Sequence, residues 1–203
     1  MNKNLEKLKN VLSKISYSGD QSDHILIKED DPLATLKTVT LNIDSKLQDW
    51  FSFSPDKILN GNKRKKNKSL IGISPLLTVQ ESIKYGKNES IDSQHNKTCD
   101  CVVFLLEDKE LKIIFIELKS SLKNSFAGKK ANNQIKSTEQ FVKYFLGLAS
   151  EFYEVNFETS SYYVIFHNTP LRKRPTIQKN TNKPFLRIIT VKENGLIFLK
   201  QII

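Results

Sequence analysis

At 203 residues and 23.4 kDa the chain is long enough for one domain with a full hydrophobic core and short for two. With 38% hydrophobic and 27% charged residues it has the balance of a soluble globular protein, and no apolar run nears the ~18 residues that span a bilayer, which excludes a helical membrane protein. Thirty-two Lys and Arg against 22 Asp and Glu give a net charge of +10, which favours polyanionic partners, either nucleic acid or an acidic surface.

Leu5, Leu8, Val11, Leu12 and Ile15 recur at helical intervals and predict an amphipathic helix over 3–16. This polar, mixed-charge opening lacks the apolar segment of a secretory signal, so a cytoplasmic location without membrane contact is expected. HILIK and LKTVTLNI, separated by EDDP, read as two strands, a hairpin or an added sheet edge. SKLQDWF reads as a short helix and SPDKIL as another, with Ser54 as cap and Pro55 in the first helical position. GNKRKKNKS, residues 61–69, is a basic loop in which Lys63, Arg64, Lys65 and Lys66 are candidates to hold phosphates. SPLLTVQESIKYG, residues 74–86, reads as a helix and KNESIDSQHNKT as a loop.

CDCVVFLL and LKIIFIELK form a strongly apolar pair of strands about the charged break EDKE. Cys99 and Cys101 are two apart, which in a strand points both thiols to one face and disfavours a mutual disulfide; buried, reduced thiols are expected. The histidines, His24, His95 and His167, have neither ligand nor triad spacing and read as structural or solvated. LKNSFAGKKANN reads as a loop before a helix that starts at Gln134 and presents Ile135, Phe141, Val142, Phe145 and Leu148 on one face. SYYVIFHN is a buried strand, and a Pro-punctuated loop with Arg172, Lys173 and Arg174 offers a second cationic tract. FLRIITV and GLIFLKQII read as a terminal pair of strands joined near KENG.

Three polar residues, Asp100, Glu117 and Lys119, interrupt the greasy ends of the central hairpin. Alternation puts Glu117 and Lys119 on one face and Ile116 and Leu118 on the other. If EDKE turns between Asp108 and Lys109, partners across the hairpin sum to 217 and Asp100 faces Glu117. Side chains so opposed have Cβ atoms ~4.5–5.5 Å apart, and two carboxylates that close repel unless a cation or a proton lies between them. Oxygen ligands alone suit a hard ion, Mg²⁺ or Mn²⁺, with Lys119 beside it to orient a water or to neutralise a phosphoryl oxygen.

Asp100 at the head of one strand, Glu117-Leu118-Lys119 at the end of the next, then a helix and a strand, together resemble the PD-(D/E)XK nuclease superfamily, with Cys99 where the motif name has Pro. The resemblance covers roughly residues 75–168. It implies an α/β fold with a restriction-endonuclease-like core, namely helix, mixed sheet with a central β-hairpin, helix and strand, with an N-terminal helix and strands and C-terminal strands added. It further implies that Asp100, Glu117 and the backbone of Leu118 hold Mg²⁺ or Mn²⁺, that Lys119 is the catalytic lysine, that Gln134 approaches the site, and that Glu81 is an extra acidic residue.

The expected organisation is one nuclease-like domain over 1–203, with a catalytic core at 75–168 and an N-terminal elaboration at 1–74. Its expected activity is metal-dependent hydrolysis of phosphodiester bonds, foremost as a DNA endonuclease in restriction or anti-phage defence. Two rivals stand beside it: a non-catalytic module that uses the fold to bind nucleic acid or a partner, and an RNA-directed nuclease. No specificity domain is visible, which leaves a homodimer mate or a partner subunit as a source of recognition.

Overall fold

The apolar hairpin of residues 99–121 forms the middle of a five-stranded sheet, because both its faces are covered and its strands are apolar on each. The computed structural model describes residues 1–13, 23–29, 32–44, 49–55, 98–122, 125–168 and 186–203. They form helix α1 (Lys3–Ser13), strands β1 (His24–Lys28), β2 (Thr38–Asn42), β3 (Trp50–Phe53), β4 (Cys101–Glu107) and β5 (Glu110–Lys119), helix α2 (Ser125–Tyr153), and strands β6 (Glu158–His167), β7 (Leu186–Thr190) and β8 (Gly195–Phe198). A 3-10 turn, Leu199–Gln201, follows. The architecture is α/β, with two mixed sheets and two helices among the described residues. Among the described residues, no helix is long and apolar enough to cross a membrane.

The larger sheet has the order β3-β4-β5-β6-β7; the first three strands run antiparallel to their neighbours, while β5, β6 and β7 are parallel. Its faces divide by alternation. Val102, Phe104, Ile113, Phe115 and Ile165 point to a core shared with Leu5, Leu8 and Leu12 of α1 and with Ala131, Ile135, Val142 and Phe145 of α2. Val103, Leu105, Ile114, Ile116, Val164 and Phe166 point the other way, onto Ile25, Ile27, Val39 and Leu41 of a three-stranded sheet with the order β1-β2-β8. The result is three layers: helices, central sheet, small sheet. Asn2 caps α1, its side-chain oxygen accepting the N–H of Asn4 at 2.9 Å.

Four elements differ from expectation. Trp50 and Phe51, read as the end of a helix, belong to a strand, Trp50–Phe53, paired with Val102–Leu105, since an aromatic segment buried along its whole length fits a pleated sheet edge. That strand belongs to the central sheet although it lies within residues 1–74. Helix α2 starts at Ser125, not at Gln134; Gly128 and the paired Asn residues suggested a loop, but buried Ala131 extends the inward stripe back by a turn. The two last strands do not pair with each other: β7 lies beside β6, while β8 lies parallel to β2 in the other sheet. The chain changes sheet through 191–194, where Asn194 has φ 57°, and a Cβ at Gly195 would meet the carbonyl of Lys192 at 2.8 Å. Finally, α1 is described to Ser13 only, and the expected helices beginning at Ser54 and at residue 74 fall mostly or wholly outside the described residues.

Candidate active site

Glu107 pairs with Glu110 and Cys101 with Ile116, so the hairpin has the register that sums to 217. Asp108 and Lys109 both have positive φ, 50° and 73°, the signature of a two-residue type I′ turn. Strand β4 begins only at Cys101, and Asp100 occupies a bend before it. There its Oδ2 accepts the backbone N–H of Leu118 at 2.6 Å, so a side chain takes up a donor that the ladder has ceased to serve. The bend also reverses the expected placement of the thiols. Cys99 joins the core under the helices and Cys101 the core under the small sheet, because the alternation that would align them holds only within a strand.

On β5, Ile116 and Leu118 face the small sheet, which turns Glu117 and Lys119 towards the helices. Glu117 is fully buried, and the Lys119 ammonium donates to its Oε1 in an ion pair. Burial alone would lower the proton affinity of Lys119, but the charge and hydrogen bond of Glu117, with Asp100 and Glu29 behind it, outweigh burial and lift its pKa above the ordinary lysine value. Lys119 is therefore an ammonium at neutral pH, a source of positive charge and not a base. The Cys99 thiol is held protonated, first by burial and then by the Glu117 charge, which fits an inert core thiol.

Asp100 has a pKa well above the usual carboxylate range. Loss of hydration is the main cause and the neighbouring Glu117 charge the second, opposed by the Leu118 N–H. Between the unfolded pKa and this raised folded one, the folded chain binds more protons than the unfolded chain. Stability from this group thus falls as pH rises, by about 1.4 kcal/mol per unit across the window. Asp100→Asn keeps an acceptor for Leu118 and removes the charge. In EDTA it is expected to melt above wild type at neutral pH, with the gap closing as pH drops towards the ordinary carboxylate pKa. Melting curves from about pH 4 to 8 check the sign; an Asn variant that melts lower throughout would show that the Asp100 charge stabilises the fold.

Gln134 comes near the site by another route than expected. Its Nε2 donates to the carbonyl of Thr98 at 3.1 Å, two residues ahead of Asp100. Three further residues near the site, Thr138, Glu29 and His167, were not read as part of it from the sequence. Thr138, fully buried one turn beyond Gln134, accepts the N–H of Cys99 at 2.9 Å. Glu29, just after β1, acts by its charge on both Asp100 and Lys119. The loop after it is tied to the end of β5, with Ser120 Oγ accepting the N–H groups of Thr35 at 2.7 Å and Leu36 at 3.3 Å. His167 lies beside Lys119 in the β5–β6 register, is fully buried, and shares a hydrogen bond with Thr190 Oγ1 at 3.2 Å. Two of these had a signal: Thr138 is polar on the apolar stripe of α2, and His167 ends a buried strand.

Glu81, Lys63, Arg64, Lys65, Lys66, Arg172, Lys173 and Arg174 lie outside the described residues. Among the described residues, no three His, Cys, Asp or Glu side chains gather as a metal-holding group. Asp100 and Glu117 are two neighbouring carboxylates, a pair whose oxygen chemistry would suit a hard ion that keeps most of its water. Compared with protein-family models, with curated proteins and with solved structures, the chain has no significant match.

Proposed function

We propose that the chain is a divalent-metal-dependent nuclease of the PD-(D/E)XK kind, hydrolysing phosphodiester bonds in nucleic acid, DNA foremost. One observation carries this reading: at the end of a core hairpin, Asp100 accepts the Leu118 N–H and lies close enough to buried Glu117 for that charge to raise its pKa, and the Lys119 ammonium is paired with Glu117. A stretch kept only for packing has no use for two such carboxylates. The order hairpin, α2, β6 agrees with an endonuclease-like core.

Asp100 and Glu117 would hold the ion, which supplies Lewis acidity at a phosphoryl oxygen and lowers the pKa of water. The chain's own residues do the rest. The two carboxylates, one at the end of β5 and one in the bend that precedes β4, would fix where positive charge sits. Lys119, paired with Glu117 in the metal-free chain, would offer its ammonium to charge growing on the phosphoryl oxygens.

The test is incubation of purified protein with plasmid, linear single-stranded DNA and RNA, each with Mg²⁺, Mn²⁺ or EDTA. Cleavage with metal and none with EDTA is expected, and binding without cleavage under any of these conditions would favour the non-catalytic module. For the basic tract, neutralising Lys63, Arg64, Lys65 and Lys66 together is expected to weaken duplex binding for all sequences alike. The slope of log affinity against log salt should flatten by ~0.9 for each phosphate that the variant no longer neutralises. An unchanged slope would remove these four from the DNA-facing surface and leave Arg172, Lys173 and Arg174.

A further inference from the structure

The peptide unit joining Thr98 to Cys99 precedes β4, beyond the last ladder pair, Cys101 with Ile116. Both of its polar atoms are nevertheless held, and by one helix: Gln134 Nε2 donates to its carbonyl at 3.1 Å, and Thr138 Oγ1 accepts its N–H at 2.9 Å. These two side chains are four residues apart, so they emerge one above the other on the same face of α2. The Thr138 hydroxyl also donates to the carbonyl of Gln134 at 3.0 Å. A hydroxyl has one proton, and its use on the helix backbone turns the oxygen lone pairs outward to Cys99 N–H. Thr98, Cys99 and Thr138 are fully buried and Gln134 nearly so. No water competes for these bonds, and the orientation of that amide is set one residue before Asp100.

We infer that Thr138 and Gln134 are positioning residues that aim the Asp100 carboxylate at the metal site, Thr138 being a determinant of metal affinity that never touches the ion. The inference rests on the metal-site reading above. Asp100 sits at a bend, where strand pairing does not fix the backbone, yet its carboxylate must meet both Leu118 N–H and a cation shared with Glu117. The amide clamp supplies the missing constraint. It works from the helix layer, which explains why two polar residues occupy the inward stripe of α2 between Ala131 and Val142. Groups hydrogen-bonded to a metal ligand set affinity by ~10- to 100-fold; this clamp acts one residue further out, on the peptide before Asp100, and the lower end of that range is expected.

The experiment is calorimetric titration of the full chain with Mn²⁺ alone, for wild type, Thr138→Val and Thr138→Ser. Valine keeps the shape and loses the hydroxyl; serine keeps the hydroxyl and loses a methyl. About tenfold weaker Mn²⁺ binding is expected for Thr138→Val, with Thr138→Ser within about twofold of wild type. A purely packing role reverses this order, serine suffering and valine not, and that outcome overturns the inference, as does equal affinity in all three. Hydrogen exchange at the Cys99 amide provides a readout independent of metal: it is expected to be slow in wild type and Thr138→Ser, and fast in Thr138→Val. If Thr138→Val does not fold, Gln134→Met, which removes the donor to Thr98, carries the same expectation for Mn²⁺. Wild type that binds no Mn²⁺ overturns the metal site itself, whereas wild-type binding with an unaltered Thr138→Val overturns only the clamp.

Discussion

Asp100→Ala and Glu117→Ala are each expected to lose nucleic-acid cleavage by at least ~10³-fold, in line with removal of a group that holds charge at the reacting centre. On the proposed reading each removes one of the two carboxylates that would hold the ion and leaves the other to hold it with water and substrate oxygens alone. Loss of fold is not the cause to be expected. In the metal-free chain the two charges oppose each other, so Asp100→Ala trades one hydrogen bond to Leu118 for relief of that repulsion. Glu117→Ala has a different balance, because it also strips Lys119 of its partner. Glu117→Gln, which keeps an acceptor for the ammonium, separates the two effects: it should fold like wild type and still fail to cut. Either alanine variant cutting at the wild-type rate with Mg²⁺ would end the assignment.

Lys119→Ala is expected to slow cleavage by ~10²-fold or more while retaining metal. It should also lower the melting temperature in EDTA, since breaking a buried ion pair from one side leaves a charge without compensation, worth ~3–5 kcal/mol until Glu117 takes up a proton. Lys119→Arg divides these two roles. A guanidinium can restore the pair with Glu117 and so the melting temperature, but its planar fork cannot replace a compact ammonium, and the rate should stay low. A Lys119→Ala protein that melts lower yet cleaves at the wild-type rate would make Lys119 a salt-bridge partner and nothing more.

The parts of the site governed by local rules could be read from the residues. EDKE between two apolar runs set the turn, the turn set the register, and strand alternation put Glu117 with Lys119. The parts governed by long-range pairing could not. WFSF is short enough to be helix or strand, and only its place beside Val102–Leu105, far along the chain, makes it a strand. FLRIITV and GLIFLKQII look like a hairpin because a turn joins them, yet each finds a better-buried partner in a different sheet. The bend at Asp100 broke an alternation that had seemed safe for Cys99 and Cys101. Gln134 and Thr138, polar at a four-residue interval on an otherwise apolar stripe, were a legible sign of a buried polar contact. Their partner, a backbone amide, carries no mark in a sequence.

Of the described strands β8 lies furthest along the chain, and its parallel neighbour β2 is among the first, with Val39 paired to Gly195. On a nascent chain, β1 and β2 wait as a two-stranded ribbon, a unit of marginal stability by itself. The central sheet's face of Cys101, Val103, Ile114 and Ile116 is fully covered only after Leu199 and Ile202, members of the same cluster, have been added. By contrast β4, β5, α2 and β6 follow one another with short connections, so their contacts close at low loop entropy. The neighbourhood of Asp100, Glu117 and Lys119 is thus built mainly from consecutive segments, while part of the cover on its far side comes from Leu199 and Ile202, far along the chain.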